Sequence, residues 1–206
     1  MQIKHYITGV YDVNTYLLYD EETKEAVVID YGGEFDELTD FIDSNNLKLK
    51  YILNTHGHFD HISGENTLQQ EYGAPVYIHK KDEMTMNSLP IVLAGFGFPP
   101  KKPPKINCYV NEDLDLALGN EKIKVIETPG HTKGCVCYLV GDNLFSGDTL
   151  FYENVGRTDL PGGSFEELKS SIKNKLYTLP DNTKVFPGHG NFTSIGHEKL
   201  HNEFVT

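Results

Sequence analysis

Four side chains able to hold a metal fall within six residues: His56, His58, Asp60 and His61, in the pattern His-x-His-x-Asp-His. Histidines two apart at the end of a strand project to the same side and can grip one cation. A turn directly after them can aim Asp60 and His61 at a neighbouring point, and Gly57 permits the tight backbone path. Imidazole suits zinc and iron, and the added carboxylates keep iron and manganese open. A solvated polar loop is the bland alternative, but four such residues following the apolar run 49–53 serve no packing purpose. Three further candidates each follow a short apolar run and a glycine: His131 after Gly130, Asp148 after Gly147, and His189 after Gly188. Alone, each reads as an ordinary core or surface residue. Beside the first cluster they read as ligands.

The elements that must position these residues are mostly short strands. Apolar runs at 3–10, 16–19, 26–30, 49–53, 76–79, 123–126, 136–140, 144–145 and 184–187 have strand character, punctuated by polar turns. Phe35, Leu38, Phe41 and Ile42 recur at helical spacing. Leu68 and Tyr72 indicate a helix stopped by Gly73. A helix is expected over 164–177, with Ser164 as N-cap and Glu167 completing a capping box, and a last short helix over 196–204. Segment 89–105 holds five prolines and two glycines, so regular structure is not expected there. It reads as a connector or a substrate-facing flap. Strand-Thr55-His56-Gly57-His58 echoes strand-Thr128-Pro129-Gly130-His131. Two strand-rich halves, each delivering histidines from strand ends, suggest two packed sheets with helices outside.

The chain has 206 residues, 38% hydrophobic and 23% charged, which suits one soluble domain spanning 1–206. Net charge is −12 and Arg157 is the lone arginine, so no basic stripe is present for nucleic acid. Cys108, Cys135 and Cys137 form no disulfide framework, and the last two read as core residues sharing a strand face. The N-terminus lacks the pattern of a signal peptide, and no apolar run reaches membrane-spanning length. A cytoplasmic protein acting on a small molecule, and open to homo-oligomer formation, is expected.

The ordered set His-x-His-x-Asp-His, Gly-His, Gly-Asp, Gly-His resembles the metallo-β-lactamase superfamily over most of the chain. The resemblance implies an α+β fold, an αβ/βα four-layer sandwich of two mixed β-sheets with helices outside and metals at one edge. It implies two divalent ions, zinc first and iron or manganese as options. One would take His56, His58 and His131, the other Asp60, His61 and His189. Asp148 would bridge both beside a shared hydroxide, which leaves Asp60 and Asp148 as the catalytic carboxylates. Two such cations lower the pKa of a shared water and polarise a carbonyl, so no serine or cysteine nucleophile is required.

Residues 155–164, with Gly156-Arg157-Thr158-Asp159, resemble compact glyoxalase II-like hydrolases and, in part, persulfide dioxygenases. The tail from Thr193 is also similar to the compact hydrolases, except that Glu203 stands where proline is common. Hydrolysis of thioesters such as S-lactoylglutathione is the reading this supports. The alternative is a mononuclear iron persulfide dioxygenase using His56, His131 and Asp148 as a two-His-one-carboxylate triad. β-Lactamase activity is disfavoured, because Asp148 stands where the resemblance to certain lactamases requires cysteine. Arg157, Lys101 and Lys102, with Lys105 nearby, are the candidate substrate contacts, although Arg157 could equally lock its loop through Asp159. Larger glyoxalase II enzymes, as the resemblance implies, add a helical domain that contacts glutathione. Here 17 residues follow His189, so inefficient, unselective handling of glutathione thioesters is expected.

Overall fold

Neighbouring residues of one strand face different cores, and that alternation sets the layering. The structure, a computed structural model, describes residues 1–205. The first sheet contains β1 (Gln2–Thr8), β2 (Val13–Tyr19), β3 (Glu25–Ile29), β4 (Lys48–Leu53), β5 (Val76–His79) and β6 (Ile106–Val110), ordered as in the chain. The second contains β7 (Leu116–Leu118), β8 (Glu121–Glu127), β9 (Val136–Val140) and β10 (Asn143–Gly147). After a small ribbon of β11 (Leu150–Phe151) and β12 (Asn154–Val155), it is completed by β13 (Lys184–Pro187) and β14 (Thr193–Ser194). Its spatial order is β14-β13-β10-β9-β8-β7. Both sheets are mixed: β3, β4, β5 and β6 run parallel, as do β10 and β13, and the remaining neighbours are antiparallel.

Leu18, Val27 and Ile29 point between the sheets, where they meet Val125, Tyr138 and Phe145 of the second sheet. Leu17, Val28 and Ile52 point the other way, onto helices α1 (Asp36–Ser44) and α3 (Glu65–Tyr72). Cys137, Leu144 and Val185 likewise face α6 (Phe165–Asn174) and α7 (Ile195–His201). Burial on both faces is why these strands read as near-continuous apolar runs. The result is the expected four-layer α+β sandwich.

Gly73 ends α3 in the left-handed conformation at φ 65, as its position indicated. Ser164 caps α6 by accepting from the Glu167 N–H. That helix stops at Asn174, and residues up to Thr178 tighten into a 3₁₀ turn. Segment 89–105 departs from expectation. It begins with α5 (Leu89–Gly95), which follows the short α4 (Glu83–Asn87). Pro90 sits in the first turn, where the missing N–H would have had no helical partner. Leu89 and Leu93, four apart, both enter the outer core. Only the stretch after Gly97 is irregular. Among the described residues, no helix is long and apolar enough to cross a membrane.

Candidate metal centre

All seven candidate ligands converge at one edge of the sandwich, because the strands that precede them end there. β4 leads into His56 and His58, and α2 (Phe59–Ile62) carries Asp60 and His61. β8, β10 and β13 deliver His131, Asp148 and His189. Two triads form, His56/His58/His131 and Asp60/His61/His189, each with its donor atoms within 4.8 Å of one another. Asp148 lies between them. Its Oδ1 is 3.4 Å from His61 Nε2, and its Oδ2 is 3.5 Å from His131 Nε2 and 3.8 Å from His189 Nε2.

The partner on one ring nitrogen fixes which nitrogen is left for a metal. His61 gives Nδ1 to Asp30 Oδ2 at 2.9 Å, and His131 gives Nδ1 to the Arg157 carbonyl at 2.7 Å. His56 Nδ1 meets Thr55 Oγ1 at 3.1 Å. Each therefore presents Nε2. His58 differs: its Nδ1 lies 2.8 Å from His131 Nε2. His56 Nε2 and Asp148 Oδ1 are buried without any hydrogen-bond partner. Buried polar atoms are rarely left so, and nitrogen lone pairs converging on one point have no stable arrangement unless a cation or proton lies between them. The His61–His189 Nε2 separation of 3.3 Å matches the roughly 3.3 Å expected for two nitrogens bound tetrahedrally at about 2.0–2.1 Å from zinc. The residues present therefore fit a divalent metal pair.

A third grouping, Asp30/His56/His61, also satisfies the distance condition. Both oxygens of Asp30 are already engaged, however. Its Oδ1 accepts from the Thr55 N–H, and its Oδ2 accepts from Thr55 Oγ1 and His61. It orients His61 by binding Nδ1, on the side of the ring away from the Nε2 left for a metal.

Protonation follows the surroundings. Burial, reinforced by the charge of His61, holds His56 well below the ordinary histidine range, and burial with His131 takes His58 down to about 4. Both are neutral imidazoles, ready to ligate. Burial pushes His61 the same way, but Asp148, Asp60 and Asp30 outweigh it and raise its pKa well above the usual value. Burial would raise Asp148 and Asp60, yet the surrounding histidines overcome it and keep both carboxylates ionised. A proton on His61 thus answers the three carboxylates where a cation would otherwise do so.

Several positioning residues were not singled out in the sequence. Buried Asp82 accepts from the Gly57 N–H at 2.9 Å and from Thr132 Oγ1 at 2.7 Å through Oδ2, and from the Gly134 N–H at 2.8 Å through Oδ1. It pins both loops of the first triad, and nothing in its local sequence marks it. Asp30 did carry a signal, as a carboxylate at a strand end just before Gly32-Gly33. Asn14 and Tyr16 hold the His189 loop: Asn14 Nδ2 donates to the Pro187 and Gly190 carbonyls, and the Tyr16 hydroxyl donates to Pro187. Gly57 is required for a reason other than the tight turn expected of it. A Cβ there would lie 2.9 Å from the Asp82 carbonyl oxygen. Gly188 is tighter still, since a Cβ would meet Asp148 Oδ1 at 2.3 Å.

Seven candidate ligands in this order on this sandwich point to one family, and a family model described as Metallo-beta-lactamase superfamily matches residues 8–189. The chain belongs to the metallo-beta-lactamase superfamily. Hydroxyacylglutathione hydrolase GloC of Haemophilus influenzae is 35% identical, covering 100% of this chain and 98% of its own length. The solved structure of BLEG-1 B3 metallo-beta-lactamase aligns with a TM-score of 0.91 at 36% identity, covering 100% of both chains. TTHA1623, solved in a di-iron-bound form, aligns at 0.88 and 34%, covering 98% of this chain and 99% of that one. The family and the similarity to GloC support a metal-dependent hydrolase.

The remaining predicted contacts lie apart from the two triads. Arg157 is exposed and forms a two-pronged pair with Asp159, Nε to Oδ1 at 2.8 Å and Nη2 to Oδ2 at 2.7 Å. Its backbone carbonyl, not its guanidinium, reaches the centre through His131. Lys101 pairs with Glu34 at 3.3 Å, and Lys102 and Lys105 are exposed. Cys135 and Cys137 are buried thiols whose pKa burial raises, consistent with core residues.

Proposed function

We propose that the protein is a two-metal hydrolase of thioesters, S-lactoylglutathione among them. One observation carries this reading: Asp148 spans two complete triads, so the chain provides for two ions and not one. Held by His56, His58, His131 and by Asp60, His61, His189 with Asp148 shared, a pair of divalent ions supplies a water acidified to near neutrality and a polarised carbonyl. The chain arranges access. His56 and His61 form a fully buried floor, while His189 and Asp60 keep 29% and 18% of their side-chain surface. A substrate carbonyl enters on that side. Water adds to the carbonyl carbon, the C–S bond breaks, and the products are a carboxylate and a thiol. The thiol's pKa of about 8.5 lets it depart as thiolate, so no general acid is needed. The similarity to GloC supports this substrate class.

The test is metal analysis of freshly purified protein, paired with turnover of S-lactoylglutathione, glutathione persulfide under oxygen monitoring, and a β-lactam. Two metals per chain and thioester cleavage are expected. One metal, with oxygen consumed on persulfide, would instead establish the mononuclear iron reading built on His56, His131 and Asp148. Cleavage of the β-lactam alone would move the assignment toward the activity named for BLEG-1.

A further inference from the structure

Beside the second triad lies an apolar cavity of about 180 Å³. Its wall includes Asp60 itself, together with Val10, Phe59, Leu93, Phe98 and Pro99, and Lys101 stands at the edge. Outside it the apolar surface continues. Tyr11 packs edge-on to Phe59 at 5.4 Å, and Phe96 stacks on Phe59 at 5.1 Å. Val10, Tyr11 and Phe96 remain 67%, 44% and 58% exposed. A contiguous apolar patch kept in water is a cost that a structural role does not explain, and such patches mark ligand sites. This one borders a metal ligand.

Resting on the thioester reading above, we propose that this cavity is the specificity pocket of the enzyme and takes an unbranched apolar arm of the substrate. Glutathione is poorly matched to this surface. Its two carboxylates need cations, yet Arg157 is paired with Asp159 and Lys101 with Glu34, and neither Lys102 nor Lys105 lines the cavity. A second cleft, beside Gly190, is lined by Asp12 and His5 and offers no lysine or arginine to an anion. At roughly 30 Å³ for each water-sized unit, 180 Å³ holds a chain of about six carbons. Each methylene buried there should raise kcat/KM about fourfold until the pocket is full.

The experiment uses two series of thioesters on the metal-loaded protein. One varies the acyl group from acetyl to octanoyl on N-acetylcysteamine. The other keeps acetyl and varies the thiol from ethyl to octyl. One series is expected to rise steeply and level off near six carbons, which also identifies the arm that is bound. Ser63→Leu, which intrudes from another wall residue of the cavity, and Phe98→Ala, which removes part of the wall, should each cut the six-carbon to two-carbon ratio at least tenfold. A ratio taken within one variant is unaffected by loss of folded protein. Turnover with no length dependence in either series would overturn the pocket and leave the hydrolase reading intact.

A binding arm separates the opposite failure. N-acetyl-S-hexylcysteamine, a thioether that cannot be cleaved, is titrated against the methyl NMR signals of Val10 and Leu93, with the S-methyl analogue as control. Saturable shifts for the hexyl compound alone support the pocket even if every thioester is inert, an outcome that would sink only the proposed reaction. Equal or absent shifts overturn the pocket.

Discussion

Replacing Asp82 with asparagine should separate metal affinity from folding. The side chain keeps its shape, but one acceptor becomes an amide that donates. The amide keeps a single oxygen for three donors, so at least one of the Gly57 N–H, the Thr132 hydroxyl and the Gly134 N–H loses its acceptor in either orientation. Hydrogen bonds to a charged group contribute about 1.5–3 kcal/mol apiece, and after local relaxation the net loss should be about 2–4 kcal/mol in metal-free protein. Gly57 lies between His56 and His58, and Thr132 follows His131. The slackened loops therefore belong to the first triad, whereas in the second His61 is held by Asp30 and the His189 loop by Asn14 and Tyr16. Loss of such supporting hydrogen bonds costs about 10- to 100-fold in metal affinity. Urea denaturation of the metal-free variant reads the first quantity. Calorimetric titration of zinc into metal-free protein reads the second, as a two-step isotherm in which one step weakens. A stability loss with both zinc affinities unchanged would refute the coupling and leave Asp82 a structural brace.

Other perturbations test separate parts of the site. Asp148→Ala should abolish nearly all hydrolysis while circular dichroism stays native, since the strand core does not depend on this carboxylate. Substantial turnover at saturating metal would show the shared ligand to be misassigned. Gly188→Ala places a methyl 2.3 Å from Asp148 Oδ1 and 2.8 Å from His61 Cε1, so activity should fall at least tenfold with little change in secondary structure, and unaltered kinetics would contradict the close approach. Glu65 is wholly buried, and burial raises its carboxyl well above the usual range, against the opposing hydrogen bond from Asn54. The folded protein thus keeps a proton that the unfolded chain releases above about pH 4.3, and stability from this group is full below that pH and falls as pH rises toward the folded pKa. Glu65→Gln removes that fall, so its urea midpoint should gain on the parent's between pH 4 and 8; a constant gap would disprove the buried acid's role.

The strands were legible because burial on both faces leaves a plain apolar run, and β5, β9 and β13 fall on the expected residues. Strands β6 and β7 were not. β6 alternates with exposed Asn107 and Tyr109, and β7 has only three residues, too few for a period to show. Helix α5 was obscured by reading Pro90 as a breaker, when its place in the first turn makes it compatible with a helix. The candidate ligands stood out because histidines after strand ends have few other reasons to be there. Asp82 could not stand out, since its three partners come from loops 25 to 52 residues away. Contacts of that separation leave no local pattern.

Electrostatics link the metal centre to the surface beside it. Net charge is −12, and three of the acids, Asp30, Asp60 and Asp148, are gathered around the histidines of the centre. Divalent cations held there would be the largest local charges and would set the field that a substrate meets. That field acts on the polarised carbonyl, but it does not extend to the remote ends of a long substrate, because exposed charges are screened within about 8–10 Å. Recognition away from the metals must then come from contact. The surface beside Asp60 offers aromatic and aliphatic groups, with its nearest cation, Lys101, already paired to Glu34. An enzyme so arranged draws reactivity from charge and selectivity from apolar burial, and the two can change independently through substitutions on opposite sides of Asp60.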